Sequence, residues 1–184
     1  MKTKSLLILI ALVVMISPIF ANAQTSSGTL TIGGTVTGSI SLIFNSGPLA
    51  LTAGAGTNTA TLNYGSISKY GAPPANVTIT PGAGNWTAAA DFVVNVTQYN
   101  TTSTQYKLNV SGPATYPAGI TAALKTGTTT ITVPAGSGVD IWGGTSSVAA
   151  KAYGNQTVTA ITTITDTASA AAFNYNLSFL ATAL

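Results

Sequence analysis

Large apolar side chains recur at every second position in the run that follows Gly28. Leu30, Ile32, Val36, Ile40, Leu42 and Phe44 fall on even positions, with Gly34 and Gly38 between them, whereas Thr29, Thr31, Thr35, Thr37, Ser39 and Ser41 fall on odd ones. Period two puts the apolar set on one face of an extended strand and leaves Ile43 alone on the other. At about 3.3 Å per residue the run would reach roughly 50 Å, well past an ordinary strand. It therefore serves two partners, or bends at Gly33-Gly34 or Gly38.

Shorter extended runs follow at 49–51, 60–64, 77–79, 92–96, 106–110, 120–124, 129–133, 139–142, 158–164 and 173–180. In the last, Phe173, Tyr175, Leu177 and Phe179 alternate with Asn174, Asn176 and Ser178. Turn-forming clusters such as Gly71-Ala72-Pro73-Pro74, Pro81-Gly82-Ala83-Gly84 and Pro134-Ala135-Gly136 separate the runs. A single helical turn is conceivable at 168–172, too short to alter the class. Eight to eleven short strands at this spacing predict an all-β, antiparallel β-sandwich. Neither an internal repeat nor a long linker divides it, so one domain is expected.

The first residues follow a different pattern. Lys2 and Lys4 precede an apolar stretch from Leu6 to Phe20, and Ala21-Asn22-Ala23 then stands before Gln24. That order predicts a signal peptide over 1–23, cleaved after Ala23. The next cation is Lys69, so no stop-transfer flank follows, and no later apolar run has the roughly 18 residues needed to span a bilayer. The expected organisation is a signal peptide (1–23), an N-terminal extension (24–37) and a sandwich domain (38–184). The expected location is secreted, at the cell surface, with no membrane span after cleavage.

Composition narrows the chemistry. The formal charge is +3, but Lys2 and Lys4 would leave with the signal peptide, so four lysines would face Asp91, Asp140 and Asp166. With no arginine and no basic cluster, nucleic acid is not an expected partner. Cysteine is absent, so no disulfide braces an exported fold. Histidine is absent too, which together removes the usual general base, the thiol nucleophile and the imidazole and thiolate metal ligands. The three aspartates are too far apart in sequence to read as a calcium loop, and each sits at an expected strand edge or turn. A glycosidase pair drawn from them is the weakest reading. The glycine pairs lack the lysine and the helix of a phosphate loop. No enzyme activity, cofactor or metal is expected.

Two features bear on binding. Trp86 follows the loop 81–85 and is a candidate for stacking on a sugar, whereas Trp142 lies in an apolar strand and reads as core. Seven Asn-x-Ser/Thr sequons occur, at Asn76, Asn85, Asn95, Asn100, Asn109, Asn155 and Asn176. Several of these alternate with core positions and should face solvent; they are candidate glycosylation sites only in a glycosylating organism.

The run from Gly28 to Leu42 resembles the start of a chaperone-usher pilin subunit. Leu62-Asn63-Tyr64-Gly65-Ser66-Ile67 and Val139-Asp140-Ile141-Trp142-Gly143-Gly144-Thr145 are similar to segments of spore-coat-U-type bacterial surface domains. The resemblance implies an immunoglobulin-like, pilin-like sandwich completed by a donated strand, with a periplasmic chaperone and an usher as partners. Two departures stand against it. The disulfide of many such pilins is impossible here, and residues 180–184 lack the penultimate aromatic that a chaperone reads. On this reading residues 25–36 are the donor segment, with Leu30, Ile32 and Val36 as the plug, and the chain self-assembles into a filament, pilus or coat. The long first run agrees with that reading, and equally with a bent edge strand in a self-complete domain. The alternative function is a secreted carbohydrate-binding or adhesive module with glycans as partner.

Overall fold

The computed structural model describes residues 38–99 and 101–184. The expected signal peptide and the donor residues Leu30, Ile32 and Val36 lie outside them, as does Asn100. Among the described residues there are ten strands and no helix. They are β1 (Ser39–Ser46), β2 (Thr78–Pro81), β3 (Asn85–Tyr99), β4 (Gln105–Ser111), β5 (Ile120–Thr126), β6 (Thr129–Val133), β7 (Gly138–Trp142), β8 (Lys151–Ala152), β9 (Gly154–Thr165) and β10 (Ser178–Ala183). One sheet runs β1-β3-β9-β5-β6 with β2 also on β3; the other runs β10-β4-β7 with β8 also on β4, and every pairing is antiparallel. The fold is an antiparallel β-sandwich.

Alternation drives the layering. Along β3 the even residues Phe92, Val94 and Val96 are buried while their odd neighbours are half-buried, and Val158 and Ala160 of β9 continue that inner face. From the opposite sheet Tyr106, Leu108 and Val110 of β4 meet them, with Ile141 and Trp142 of β7. Both of those last two are buried because the β4–β7 register slips between Leu108 and Asn109, the mark of a bulge. Tyr106 and Trp142 pack edge to face at 5.8 Å, so Trp142 is core, as its strand predicted. The Tyr106 hydroxyl is buried without a hydrogen-bond partner, and burial pushes it well above its ordinary pKa. Tyr106→Phe removes an unmatched polar atom without opening a cavity. Its stability in urea is expected to stay within about 1 kcal/mol of the parent or to rise.

Three expected strands take another form. The segment 60–64 makes only an isolated bridge between Ala53 and Thr61. There the Asn63 side chain accepts the Gly65 amide at 2.8 Å and Gly65 adopts a φ of 73°, which turns the chain out of an extended path. The segment 49–51 follows Pro48 and is drawn into a turn by the Leu51 amide on Ser46 Oγ, at 3.0 Å. Of 173–180, only the part from Ser178 joins a ladder, because β4 stops at Ser111 before Gly112 and Pro113. Residues 168–172 form no helix.

β1 and β2 lie end to end along the same side of β3, Ser46 opposite Phe92 and Thr78 opposite Ala89. The chain between them leaves the sheet and returns to nearly the same point. This excursion, 48–76, carries Leu62, Tyr64 and Ile67 over the inner face of β3 and β9. It covers the end of the sandwich that the shorter second sheet does not reach.

Candidate functional site: a groove between two free strand edges

β1 closes one sheet and β10 closes the other, and both edges line one groove of about 2160 Å³. Its lining includes Ile40, Leu42 and Phe44 of β1, part of the excursion, and the segment from Phe173 to Ala181. The rings of Phe44, Phe92 and Phe179 cluster there, with centroids 5.1 Å apart for Phe44 and Phe179, 6.0 Å for Phe92 and Phe179, and 6.2 Å for Phe44 and Phe92.

The direction of the backbone groups follows from the ladder. In an antiparallel strand the N–H and C=O of one residue point to the same side, and successive residues alternate. The Phe44 amide donates to the Thr57 carbonyl at 2.8 Å, and the Phe44 carbonyl accepts the Gly56 amide at 2.6 Å, so Phe44 points away from β3. Ile40 and Leu42 share its parity and have no backbone partner on that side among the described residues. On β10 the Leu184 amide donates to the Gln105 carbonyl at 3.0 Å, so the even residues face β4. Phe179, Ala181 and Ala183 therefore turn their backbone groups to the open edge. Upstream, residues 172–177 keep the in-and-out burial of a strand, yet make no backbone–backbone hydrogen bond among the described residues.

Side chains hold this unladdered stretch in place. Thr162 Oγ1 lies 2.6 Å from the Tyr175 hydroxyl and donates to the Tyr64 hydroxyl at 3.2 Å; Tyr64 in turn donates to the Ala160 carbonyl at 3.3 Å. Burial raises both tyrosines above their ordinary pKa, so the network stays neutral. Tyr175 also stacks on Phe173 and meets Tyr116 edge to face. At the end of the groove Lys69 donates to both oxygens of Asp166, at 2.9 and 2.8 Å.

The other carboxylates have structural partners of their own. Asp140 accepts Asn109 Nδ2 at 2.8 Å, the Thr145 amide at 2.9 Å and Thr145 Oγ1 at 3.0 Å. The Asn109 bond, then the Thr145 amide, hold its carboxyl below the ordinary 3.8. A lowered folded-state pKa stabilises the fold above 3.8, and the contribution is lost as pH falls through the folded value. Asp140→Asn is expected to flatten the acid limb of the stability profile below pH 3.8, read by thermal melting at stepped pH. Asp91 accepts Thr159 Oγ1 at 2.6 Å on the outer face of the first sheet.

No protein-family model matches the chain, and no curated protein matches it in sequence. The chain is similar to a chain of one solved structure. That structure is described as "Chaperone-tip adhesin complex is vital for synergistic activation of CFA/I fimbriae biogenesis"; it aligns over 59% of this chain and 38% of its own, at 14% identity and a TM-score of 0.35. The chain thus spans well under half of that neighbour's length.

Trp86 follows the turn at 82–84. It lies within β3 on the inward side, half-buried against the cluster of Tyr64, Val77, Ala88 and Ala90. The sequon asparagines are divided. Asn85, Asn155 and Asn176 are exposed. Asn76, although exposed, has a φ of 62° and spends its side-chain amide on the Pro48 carbonyl at 2.8 Å. Asn109 is committed to Asp140, and Asn95 faces outward, but its Oδ1 is buried without a partner. The outer edge of β10, with its inward Phe179 and Ala181, carries a pattern visible in sequence, but its lack of a neighbour among the described residues is a property of topology.

Proposed function

We propose that the protein is a structural subunit of a secreted or surface filament, pilus or coat, assembled by strand donation and not an enzyme. The observation that carries this reading is the pair of edges, β1 at Ile40 and Leu42 and β10, that have no strand partner on their outer side among the described residues and line one groove over an aromatic floor. The occupant is residues 25–36 of a second copy. The length of chain ahead of Ser39 supplies it: Leu30, Ile32 and Val36 would face inward while the odd threonines face out. Each such side chain, once buried, contributes about 1.5–3 kcal/mol before the cost of ordering the segment. Because donor and acceptor sit on different surfaces, the contact is heterologous and propagates as an open chain.

Before assembly, the same edges are a hazard for unspecific pairing, and a periplasmic chaperone lending a temporary strand, with an usher to exchange it, is the partner this proposal requires. The experiment compares the exported chain with a variant lacking residues 24–37 and with Ile32→Asp. The parent is expected to form ladders that resist heating in detergent, and both variants to run as single subunits in the same detergent gel. If the parent forms no ladder under any condition of export, the proposal fails.

A further inference from the structure

The outward positions of the six-stranded sheet fall into ranks across neighbouring strands. The rank through Ile161 of β9 has Ala89 and Ala123 on its two sides, then Thr78 and Thr132 beyond them. It reads the same in both directions. One rank away, Thr163 is flanked by Thr87 and Thr121. One rank the other way, Thr159 is flanked by Asp91 on β3 and Lys125 on β5. These are the only two charged side chains among the outward positions of this sheet, and they stand at equal distance from β9 with opposite sign. Neither takes part in an ion pair among the described residues.

We propose that this face pairs with the same face of a second copy about a twofold axis lying along β9. Such an axis places each position left of β9 over its counterpart on the right. Asp91 then meets Lys125 of the second copy, and Lys125 meets its Asp91, so one charge pair is made twice, as an isologous interface requires. Ile161 meets its own equivalent on the axis, with alanines opposite alanines around it. A face pairing in another register sets threonine against lysine or aspartate and leaves the charges unmatched.

Aligned sheets pack face to face at about 10 Å, a spacing that small Thr, Ala and Ile side chains suit. With strands about 4.8 Å apart and about 6.7 Å between ranks, five strands and three ranks bound a face of roughly 24 by 20 Å. That is smaller than the roughly 800 Å² per partner of a standard interface, so the pair is a weak and reversible one. A sugar ligand would seek aromatic rings, and these ranks carry none. The face lies on the opposite side of the sheet from the inward Phe92 and Ala160 that help line the groove, so strand donation and face pairing are compatible: the first makes a thread, the second joins two threads side by side.

The test is sedimentation equilibrium of the full exported chain carrying Ile32→Asp, which blocks strand donation, and of Asp91→Lys and Lys125→Asp in that background. The Ile32→Asp parent is expected to dimerise reversibly and to weaken in high salt. Each single variant sets like charges opposite each other twice and should bind itself roughly tenfold or more weakly. An equimolar mixture of the two, in which every pair is again opposite, should restore the dimer, and the double variant should dimerise alone. Single variants that dimerise like the parent overturn the proposal, as does a mixture that stays monomeric while both chains are folded by circular dichroism. Should Asp91→Lys fail to fold, Ile161→Lys replaces it: loss of the dimer supports the axis and an unchanged dimer overturns it. Deleting residues 24–37 removes strand-donated polymers but leaves this dimer, so the two assembly modes fail separately.

Discussion

Phe92→Ala is expected to destabilise the fold by about 3–5 kcal/mol, measured as a shift in urea midpoint at unchanged slope. Phe92 is 6% exposed, points inward from the centre of β3, and its ring meets both Phe44 and Phe179. Those two rings come from the edge strands of opposite sheets. Removing the ring between them therefore leaves a cavity at the seam where the sandwich is held by side chains alone. A domain of this size is stable by about 5–15 kcal/mol, so the loss is a large share of the total. A change below about 1 kcal/mol would mean that the seam had already collapsed around the site, and that the groove floor is less well packed than its geometry indicates.

Gly47→Ala is expected to destabilise by about 1–3 kcal/mol for the opposite reason, excess volume. Gly47 sits where the chain leaves β1 for the excursion, and a Cβ there would collide with the Asp91 carbonyl of β3. Backbone must move, either at the centre of β3 or at the root of the excursion. Because the excursion carries Leu62 and Tyr64 onto the inner face of β3 and β9, a shift at its root should also loosen the Tyr64–Thr162–Tyr175 network. Loss of near-ultraviolet tyrosine ellipticity before the main transition is the accompanying signature.

The parts of the fold that were legible in sequence are those where burial alone decides the pattern. β4, β5, β6 and β7 lie within a residue or two of the expected runs, since each is a short apolar run with turn-forming residues close to its ends. β3 is longer than expected because Ala88, Ala89 and Ala90 show no alternation by size, although Ala88 and Ala90 are buried and Ala89 is not. Trp86, read as following the loop 81–85, accordingly falls within this longer strand. The segments 60–64 and 173–177 have the alternation of strands and the burial of strands, and still lack ladders. Whether an alternating run finds a neighbour depends on where other strands stop, here β4 at Ser111, and local pattern carries no record of that. β8, two residues long, left no pattern at all. The candidate groove divides in the same way. Its apolar lining was readable from Ile40, Leu42, Phe44 and Phe179, whereas the meeting of β1 and β10 across 130 residues of chain is a product of topology.

Amide hydrogen exchange tests whether the β1 and β10 edges receive a donated strand. A chain lacking residues 24–37 is mixed with a peptide of residues 25–36, and exchange is followed at single residues. New protection is expected at Ile40, Leu42, Phe179, Ala181 and Ala183, whose amides face the outer strand edges, with little change at Leu180 and Thr182, which already face β4. Unchanged exchange at the odd residues of β10 and at Ile40 and Leu42, with the peptide in excess, would contradict it.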